Sequence, residues 1–205
     1  MLIKVCGLIE EVNMNKVSLA DIDMIGLNFY PKSKRYLSHS INTSKVPKHI
    51  SKVGVFVNES LDKILRLIDK YKLDYVQLHG DEDNDFCKKL KEKVKVIKVI
   101  PIRSSKDFQS AKNYPAADYI LFDTKTKMIG GSGKKFDWSI LEHYDGEKPF
   151  ILAGGIKPDD VKTLKEISHE AFAGIDINSQ FESEPGIKSV PEVYKFAYAI
   201  KNESY

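Results

Sequence analysis

The chain has 205 residues, of which 42% are hydrophobic, and its 32 basic and 29 acidic side chains leave a net charge of +3. This length suits a single domain over residues 1–205 with a sizeable core, since domains usually run to roughly 100–200 residues. The small charge argues against a nucleic-acid partner, which requires basic residues clustered on one face. No apolar run approaches the roughly 20 residues of a membrane span, so no membrane partner is expected. Two cysteines without a signal-like N-terminus are typical of a cytoplasmic protein.

Short apolar runs rich in β-branched residues recur along the chain and predict strands. Each run is almost wholly apolar, as in strands that are covered on both faces of a parallel sheet. In chain order the predicted strands are Leu2–Val5, Met24–Phe29, Val53–Val57, Tyr75–Leu78, Val94–Ile100, Tyr119–Phe122, Phe150–Ala153 and Phe172–Ile177.

Polar stretches with helix-like patterns lie between the predicted strands. Ser60–Tyr71 places its apolar side chains on one face, with Ser60 as a candidate N-cap. Asp83–Lys93 and Val190–Ile200 show the same one-sided pattern, and Pro158 suits the first turn of a further helix. Strands that alternate with helices predict parallel βαβ units.

We therefore expect an α/β fold, a single-domain (β/α)8 TIM barrel, although the chain is near the lower end of the usual length. An open doubly wound sheet is the alternative. It is disfavoured because no G-x-G-x-x-G turn follows the first predicted strand, where a dinucleotide-binding fold would carry it.

A barrel of this kind builds its active site at the C-terminal ends of its strands. Cys6 closes the first strand and could serve as a base, because a modest positive field lowers the pKa of a thiol. Asp123 follows the sixth strand and would be the acid partner of such a base. Both residues also have an ordinary structural interpretation, since Cys packs as a small apolar residue and Asp often caps a turn.

Two glycine-containing segments follow later strands. Gly154-Gly155 can expose backbone N–H groups to a phosphate, and Ser179 follows the eighth strand, where barrels often bind phosphate. The segment GGSGKKFDW, residues 130–138, predicts a mobile loop. It lacks the spacing of a Walker loop, so nucleotide hydrolysis is not indicated.

Three further side chains are candidates for binding a ligand. The planar guanidinium of Arg35 could hold a carboxylate through two hydrogen bonds. His79 is either a hydrogen-bonded structural residue or part of the site, and Asp176 either points into the barrel mouth or pairs with a neighbour. The remaining histidines have no metal-ligand spacing, so no metal is expected.

The motifs that contain these residues resemble the phosphoribosylanthranilate isomerase family of tryptophan biosynthesis. The resemblance runs along almost the whole chain, and the order of the motifs is preserved. They are KVCG, FYPKSKRY, VGVFVN, VQLHG, LFDTKT, GGSGKKFDW, LAGGI and GIDINS.

The resemblance implies an Amadori rearrangement of the phosphorylated small molecule N-(5-phosphoribosyl)anthranilate to 1-(2-carboxyphenylamino)-1-deoxyribulose 5-phosphate. It assigns the general base to Cys6, the general acid to Asp123 and the anthranilate carboxylate to Arg35. It implies no metal and no organic cofactor. The implied phosphate-binding segments are Gly154-Gly155 and Asn178-Ser179.

One position departs from the family pattern, because Gln180 stands where the family usually has glycine. A Gln side chain does not easily take a positive φ. The turn therefore either adopts an ordinary conformation or presents its N–H groups to phosphate in an altered geometry.

Two other functions remain as alternatives. A related isomerase of histidine biosynthesis would use a carboxylate where Cys6 stands, so it is disfavoured. A non-catalytic or differently specific phosphosugar-binding barrel predicts loss of the acid or the base, and both Cys6 and Asp123 are present. The sequence leaves open whether the protein is a monomer or a homodimer.

Overall fold

The computed structural model describes residues 1–124 and 135–202. Eight parallel strands close into a barrel in chain order, which confirms the predicted TIM barrel. The strands are β1 (Leu2–Cys6), β2 (Met24–Asn28), β3 (Ser51–Phe56), β4 (Tyr75–Leu78), β5 (Lys95–Ile102), β6 (Tyr119–Thr124), β7 (Phe150–Leu152) and β8 (Phe172–Ile177).

All the predicted strands are present, and their ends differ from the prediction by at most two residues. The largest differences are at β3, which begins earlier than predicted, and at β5 and β6, which both end later. Ser51 pairs with Met24 of β2, and Ile102 pairs with Thr124 of β6. Main-chain pairing with a neighbouring strand fixes these ends, and an apolar side-chain pattern does not report it.

Helices cover part of the outside of the barrel. Those predicted near Ser60, Asp83 and Val190 are confirmed, and Asp83 caps its helix by accepting a hydrogen bond from the backbone N–H of Phe86. Ser60 occupies the N-cap position of its helix, but its side chain makes no capping hydrogen bond. The helices are α1 (Glu11–Val17), α2 (Leu61–Tyr71), α3 (Asn84–Lys91), α4 (Val161–Lys165), which follows a 3₁₀ turn at Pro158–Asp160, and α5 (Val190–Asn202).

The predicted alternation of strands with helices is confirmed for the barrel as a whole, but several connections differ from a regular α-helix. The short helix α1 was not predicted, and the segments Ser105–Asn113 and Trp138–His143 are 3₁₀ helices. Residues 29–50, between β2 and β3, contain no helix. The Asn28 side chain instead organises this loop, since it donates to the Ser33 hydroxyl and accepts from the Tyr30 N–H.

Apolar side chains pack both between the strands and helices and inside the barrel. Two charged side chains, Lys4 and Asp176, are also almost completely buried and lie on neighbouring strands. Within the described residues, none of the helices has the length and apolar character needed to cross a membrane. The cluster inside the barrel consists of Met24, Val53, Tyr75, Ile97, Val99, Leu121, Ile151 and Ala153.

Candidate active site

A pocket at the C-terminal ends of the strands brings together all the residues predicted for the site. They reach it from elements spread over almost the whole chain, as the closed barrel requires. The pocket also has polar lining residues that were not predicted, among them Asn28 and Gln77. The predicted residues that line it are Cys6, Arg35, His79, Asp123, Gly154, Gly155, Asp176 and Ser179.

Cys6 ends β1 and is a free, buried thiol in the wall of the pocket. It pairs with Gly26 on β2, where a Cβ atom would lie only 2.7 Å from the Cys6 sulfur, so glycine at this position makes room for the thiol. Burial raises the pKa of the Cys6 thiol above its usual value, while the charge and hydrogen-bonding capacity of Lys4 lower it. Cys6 is therefore protonated at rest near neutral pH.

Asp123 lies near the end of β6, across the mouth from Cys6. Burial raises the pKa of its carboxyl to about 6, although the backbone N–H of Thr124 donates to its Oδ1 at 2.8 Å and opposes the shift. The Gly154 backbone packs closely against this carboxyl, since a Cβ atom at this position would lie 2.8 Å from Asp123 Oδ1. A carboxyl with such a pKa can hold and donate a proton at neutral pH far better than an exposed one.

His79 follows β4 and faces the same carboxyl, with its Nε2 3.5 Å from Asp123 Oδ2. Burial, followed by the positive charges of Lys4 and Lys98, lowers the pKa of His79 to about 4. The imidazole is therefore neutral at physiological pH. The turn that carries it is held by Glu82, which accepts from the Gly80 N–H and pairs with buried Lys98.

Arg35 reaches the pocket from the loop after β2, and its guanidinium is held by a carboxylate of the protein. Its Nε and Nη2 donate to the two Glu182 oxygens at 2.8 and 2.5 Å. Glu182 also pairs with buried Lys188. A positive φ of 78° at Gly7 and the missing Cβ there let the Arg35 side chain pack against β1.

Glu182 and Lys188 belong to a short hairpin that the sequence did not predict, made of β9 (Glu182–Glu184) and β10 (Ile187–Lys188). Arg35 was expected to hold a carboxylate of a ligand, and its internal ion pair with Glu182 was missed. A Glu that follows β8 at the C-terminal edge of a barrel is the one signal in the sequence that could have indicated it.

The glycines after β7 adopt backbone conformations that other residues rarely take. Gly154 and Gly155 have φ values of 88° and 69°. Ser179 begins a 3₁₀ turn, Ser179–Phe181, after β8. Gln180 is not among the positive-φ residues of the described chain, so this turn adopts an ordinary backbone conformation, the first of the two alternatives considered for it.

Asp176 fulfils both alternatives that were considered for it. It lines the pocket, and its Oδ2 accepts a hydrogen bond from the Lys4 ammonium at 2.7 Å. Its Oδ1 is buried with no hydrogen-bond partner in the described structure. Lys4 was missed, although a lysine two positions before Cys6 in an apolar strand must face the same side as Cys6.

The predicted glycine-rich loop falls largely outside the described residues, which resume at Lys135. Its far end is anchored, because Phe136 and Trp138 are buried. Within residues 1–124 and 135–202, no group of three or more His, Cys, Asp or Glu side chains is arranged to hold a metal ion.

The fold and the pocket place this protein in the class of (β/α)8-barrel enzymes, in which the strand ends carry the active site. The family model for N-(5'-phosphoribosyl)anthranilate isomerase matches residues 3–199. A relative from Parabacteroides distasonis with that name is 42% identical over 206 residues, which cover 98% of this chain and 93% of the relative. The chain belongs to the N-(5'-phosphoribosyl)anthranilate isomerase family and is an isomerase.

Solved structures of the family share the fold. The Thermotoga maritima phosphoribosyl anthranilate isomerase has a TM-score of 0.84 at 33% identity, with 99% of this chain and 100% of that chain covered. A family structure in complex with reduced 1-(o-carboxyphenylamino)-1-deoxyribulose 5-phosphate has a TM-score of 0.83 at 32% identity and the same coverage.

Proposed function

We propose that this isomerase converts N-(5'-phosphoribosyl)anthranilate to 1-(o-carboxyphenylamino)-1-deoxyribulose 5-phosphate in tryptophan biosynthesis, with Asp123 as general acid and Cys6 as general base. One observation carries the assignment: a buried carboxyl whose pKa is about 6 and a buried thiol face one pocket from β6 and β1. The reaction needs proton donation at the ring oxygen and proton removal at C2, two atoms of the sugar that are both bonded to C1. Two groups on separated strands can reach both atoms.

In the first step Asp123 gives its proton to the ring oxygen of the ribose. The bond between C1 and the ring oxygen breaks, and the anthranilate nitrogen supplies the electron pair that forms a protonated Schiff base. Neutral His79, 3.5 Å from the carboxyl, can share the negative charge left on Asp123 by donating a hydrogen bond.

In the second step the Cys6 thiolate removes the proton from C2 of the opened sugar. The electrons of the C2–H bond move toward C1 and neutralise the Schiff base, which gives an enolamine. This species tautomerises to the ketone of the product. The unpartnered Oδ1 of Asp176 is a candidate acceptor for a sugar hydroxyl beside the reacting carbon.

Substrate binding is assigned to the two ends of the pocket. Glu182 occupies the Nε–Nη2 edge of Arg35, and the planar guanidinium has another edge, formed by its terminal nitrogens, for the anthranilate carboxylate. Gly154, Gly155 and Ser179 would hold the phosphate, since glycine exposes backbone N–H groups without a side chain in the way.

The test follows anthranilate fluorescence while phosphoribosylanthranilate is generated in place. Native protein should consume the substrate, and Cys6→Ala and Asp123→Asn should consume it at least about 10²-fold more slowly, with folding of both variants verified by circular dichroism. A native protein without turnover would contradict the proposal and favour a barrel that binds another phosphosugar.

The pH dependence of kcat/KM should be bell-shaped, with the general acid Asp123 setting the acidic limb and the general base Cys6 setting the alkaline limb. The active form needs Asp123 protonated and Cys6 ionised, yet the pKa of Asp123 is about 6 and that of Cys6 is raised above its usual value. With increasing pH, kcat/KM should rise up to about pH 6, because the form with both groups protonated, which is inactive, loses one proton. In the alkaline range kcat/KM should fall as Cys6 ionises, because the form with both groups ionised is inactive too. Asp123→Asn should therefore lose the break near pH 6, and a break that persists in this variant would contradict the assignment.

We also propose that the protein works in the cytoplasm, where the free thiols of Cys6 and Cys87 stay reduced. A structure of the Thermotoga maritima relative concerns monomers generated from a dimeric enzyme. Light scattering at working concentration would decide between a monomer and a homodimer for this chain.

A further inference from the structure

Lys4 is a charged side chain in the interior of the barrel. It is 1% exposed, and in the sheet it pairs directly with Asp176 of β8. Directly paired residues of neighbouring parallel strands face the same side, and Asp176 lines the pocket, so the Lys4 side chain is also directed into the barrel. The 2.7 Å bond from Lys4 Nζ to Asp176 Oδ2 fixes the ammonium there.

The same geometry places Lys4 beside Cys6. The two residues are separated by one position on β1, so their side chains project from the same face of the strand. Both are buried, and Cys6 in addition lines the pocket. Lys4 is thus the cation on the strand that carries the thiol.

Several other ionisable groups lie around the pocket. Glu182 sits between Arg35 and Lys188 and pairs with both, whereas Asp176 pairs with Lys4. Of the remaining acidic groups in the pocket, Asp123 lies on β6, whereas Cys6 lies on β1, the strand that carries Lys4. The ionisable groups on the elements around Cys6 and the pocket are Lys4 on β1, Arg35 on the loop after β2, His79 after β4, Asp123 on β6, Asp176 on β8, Glu182 on β9 and Lys188 on β10.

We propose that Lys4 is a positioning residue for the reaction, whose buried ammonium holds the negative charge of the Cys6 thiolate while Asp176 keeps the ammonium in place. This inference rests on the proposed role of Cys6 as base. A thiolate in a buried pocket lacks the hydration that stabilises it in water, and a fixed cation replaces that hydration. The proton of the thiol is released to solvent water before the substrate proton is taken, the C2 proton of the substrate then passes to the Cys6 sulfur, and Lys4 keeps its own proton throughout.

The two partners of this arrangement should affect the thiol in opposite directions. Burial raises the pKa of Cys6, the charge of Lys4 lowers it, and the charge of Asp176 raises it. Replacing Lys4 should therefore raise the thiol pKa, and replacing Asp176 by Asn should lower it. If the ion pair had a purely structural role, loss of packing would change the thiol pKa in the same direction in both variants.

The experiment measures the rate of Cys6 alkylation by iodoacetamide against pH, in a Cys87→Ala background so that one thiol reacts. Lys4→Met should raise the apparent pKa of the thiol and slow alkylation about tenfold or more at fixed pH below that pKa, since each unit of pKa changes the thiolate fraction tenfold. Lys4→Arg, which keeps the charge, should remain near the native curve. An unchanged curve in Lys4→Met would overturn the inference.

Lys4→Met leaves the Asp176 carboxylate buried without its cation, which can prevent folding. The comparison is therefore repeated between Asp176→Asn and the double variant Lys4→Met/Asp176→Asn, in which both charges are absent. The double variant should show a higher thiol pKa than Asp176→Asn alone, and equal values would overturn the inference.

The alkylation curve does not depend on turnover, so it separates this inference from the proposed function. A Cys6→Ala variant with native turnover would contradict the role of Cys6 as base, whatever the alkylation shows. Coincident alkylation curves would contradict the role of Lys4, even where Cys6→Ala is inactive.

Discussion

Asp123→Asn should lower kcat by about 10²–10⁴-fold, the usual contribution of one positioned proton donor, and should at the same time stabilise the folded protein. The amide cannot protonate the ring oxygen of the sugar, so ring opening becomes slow. It can still accept the Thr124 N–H bond that the carboxylate accepts now. The variant therefore separates the loss of the proton from a loss of local structure.

The gain in stability follows from the raised pKa of Asp123. The folded-state pKa is about 6, above the ordinary value of 3.8, so the native state binds the proton more tightly than the unfolded chain. Between about pH 4 and pH 6 the wild type loses stability as pH rises, and above pH 6 the full cost of the buried charge, up to about 3 kcal/mol, is present. Asn removes that cost.

Denaturant unfolding at about pH 8 and about pH 4 measures this effect. The free energy of unfolding of Asp123→Asn should exceed that of the wild type at the higher pH, and the difference should shrink at the lower one. Asp145→Asn is the matched control, because Asp145 is exposed and paired with Lys112, and it should bring no such gain. A variant that is less stable than the wild type at both pH values would contradict the buried-carboxyl account.

Cys6→Ala should also lower kcat by about 10²–10⁴-fold, because it removes the group that takes the proton from C2. KM should change far less, since the carboxylate and the phosphate of the substrate are assigned to Arg35 and to the glycine turns. The substitution removes one buried sulfur atom and leaves β1 and its pairing intact, so the fold should persist.

Cys87→Ala is the matched control for this variant. Cys87 is also a free buried thiol, but it lies on α3 in the apolar layer outside the barrel. Its replacement should leave kcat within about twofold of the wild type, because it touches nothing in the pocket. Equal loss of activity in both cysteine variants would mean that packing, and not proton transfer, explains the effect of Cys6→Ala.

The sequence predicts the barrel well because its strands are buried on both sides and stand out as apolar runs. It predicts the connections less well. The loop after β2 is held by the Asn28 side chain, and such a contact leaves no periodic pattern. Strand order alone then places Cys6, Asp123 and His79 at one mouth.

The ion pairs of the site are harder to predict from the sequence. Arg35 and Glu182 are far apart along the chain, and only the closed barrel with its hairpin after β8 brings them together. Lys4 could have been found from its spacing to Cys6. Its partner Asp176 depends on the register between β1 and β8, which becomes visible only when the barrel is closed.

The kinetic isotope effect of substrate deuterated at ribose C2 tests most directly whether Asp123 is the general acid and Cys6 the general base. In Asp123→Asn ring opening should limit the residual rate, so the effect on kcat should approach unity. In Cys6→Ala removal of the C2 proton should limit it, so a full primary effect should appear. The reverse pattern, with the large effect in Asp123→Asn and none in Cys6→Ala, would contradict the assignment of acid and base.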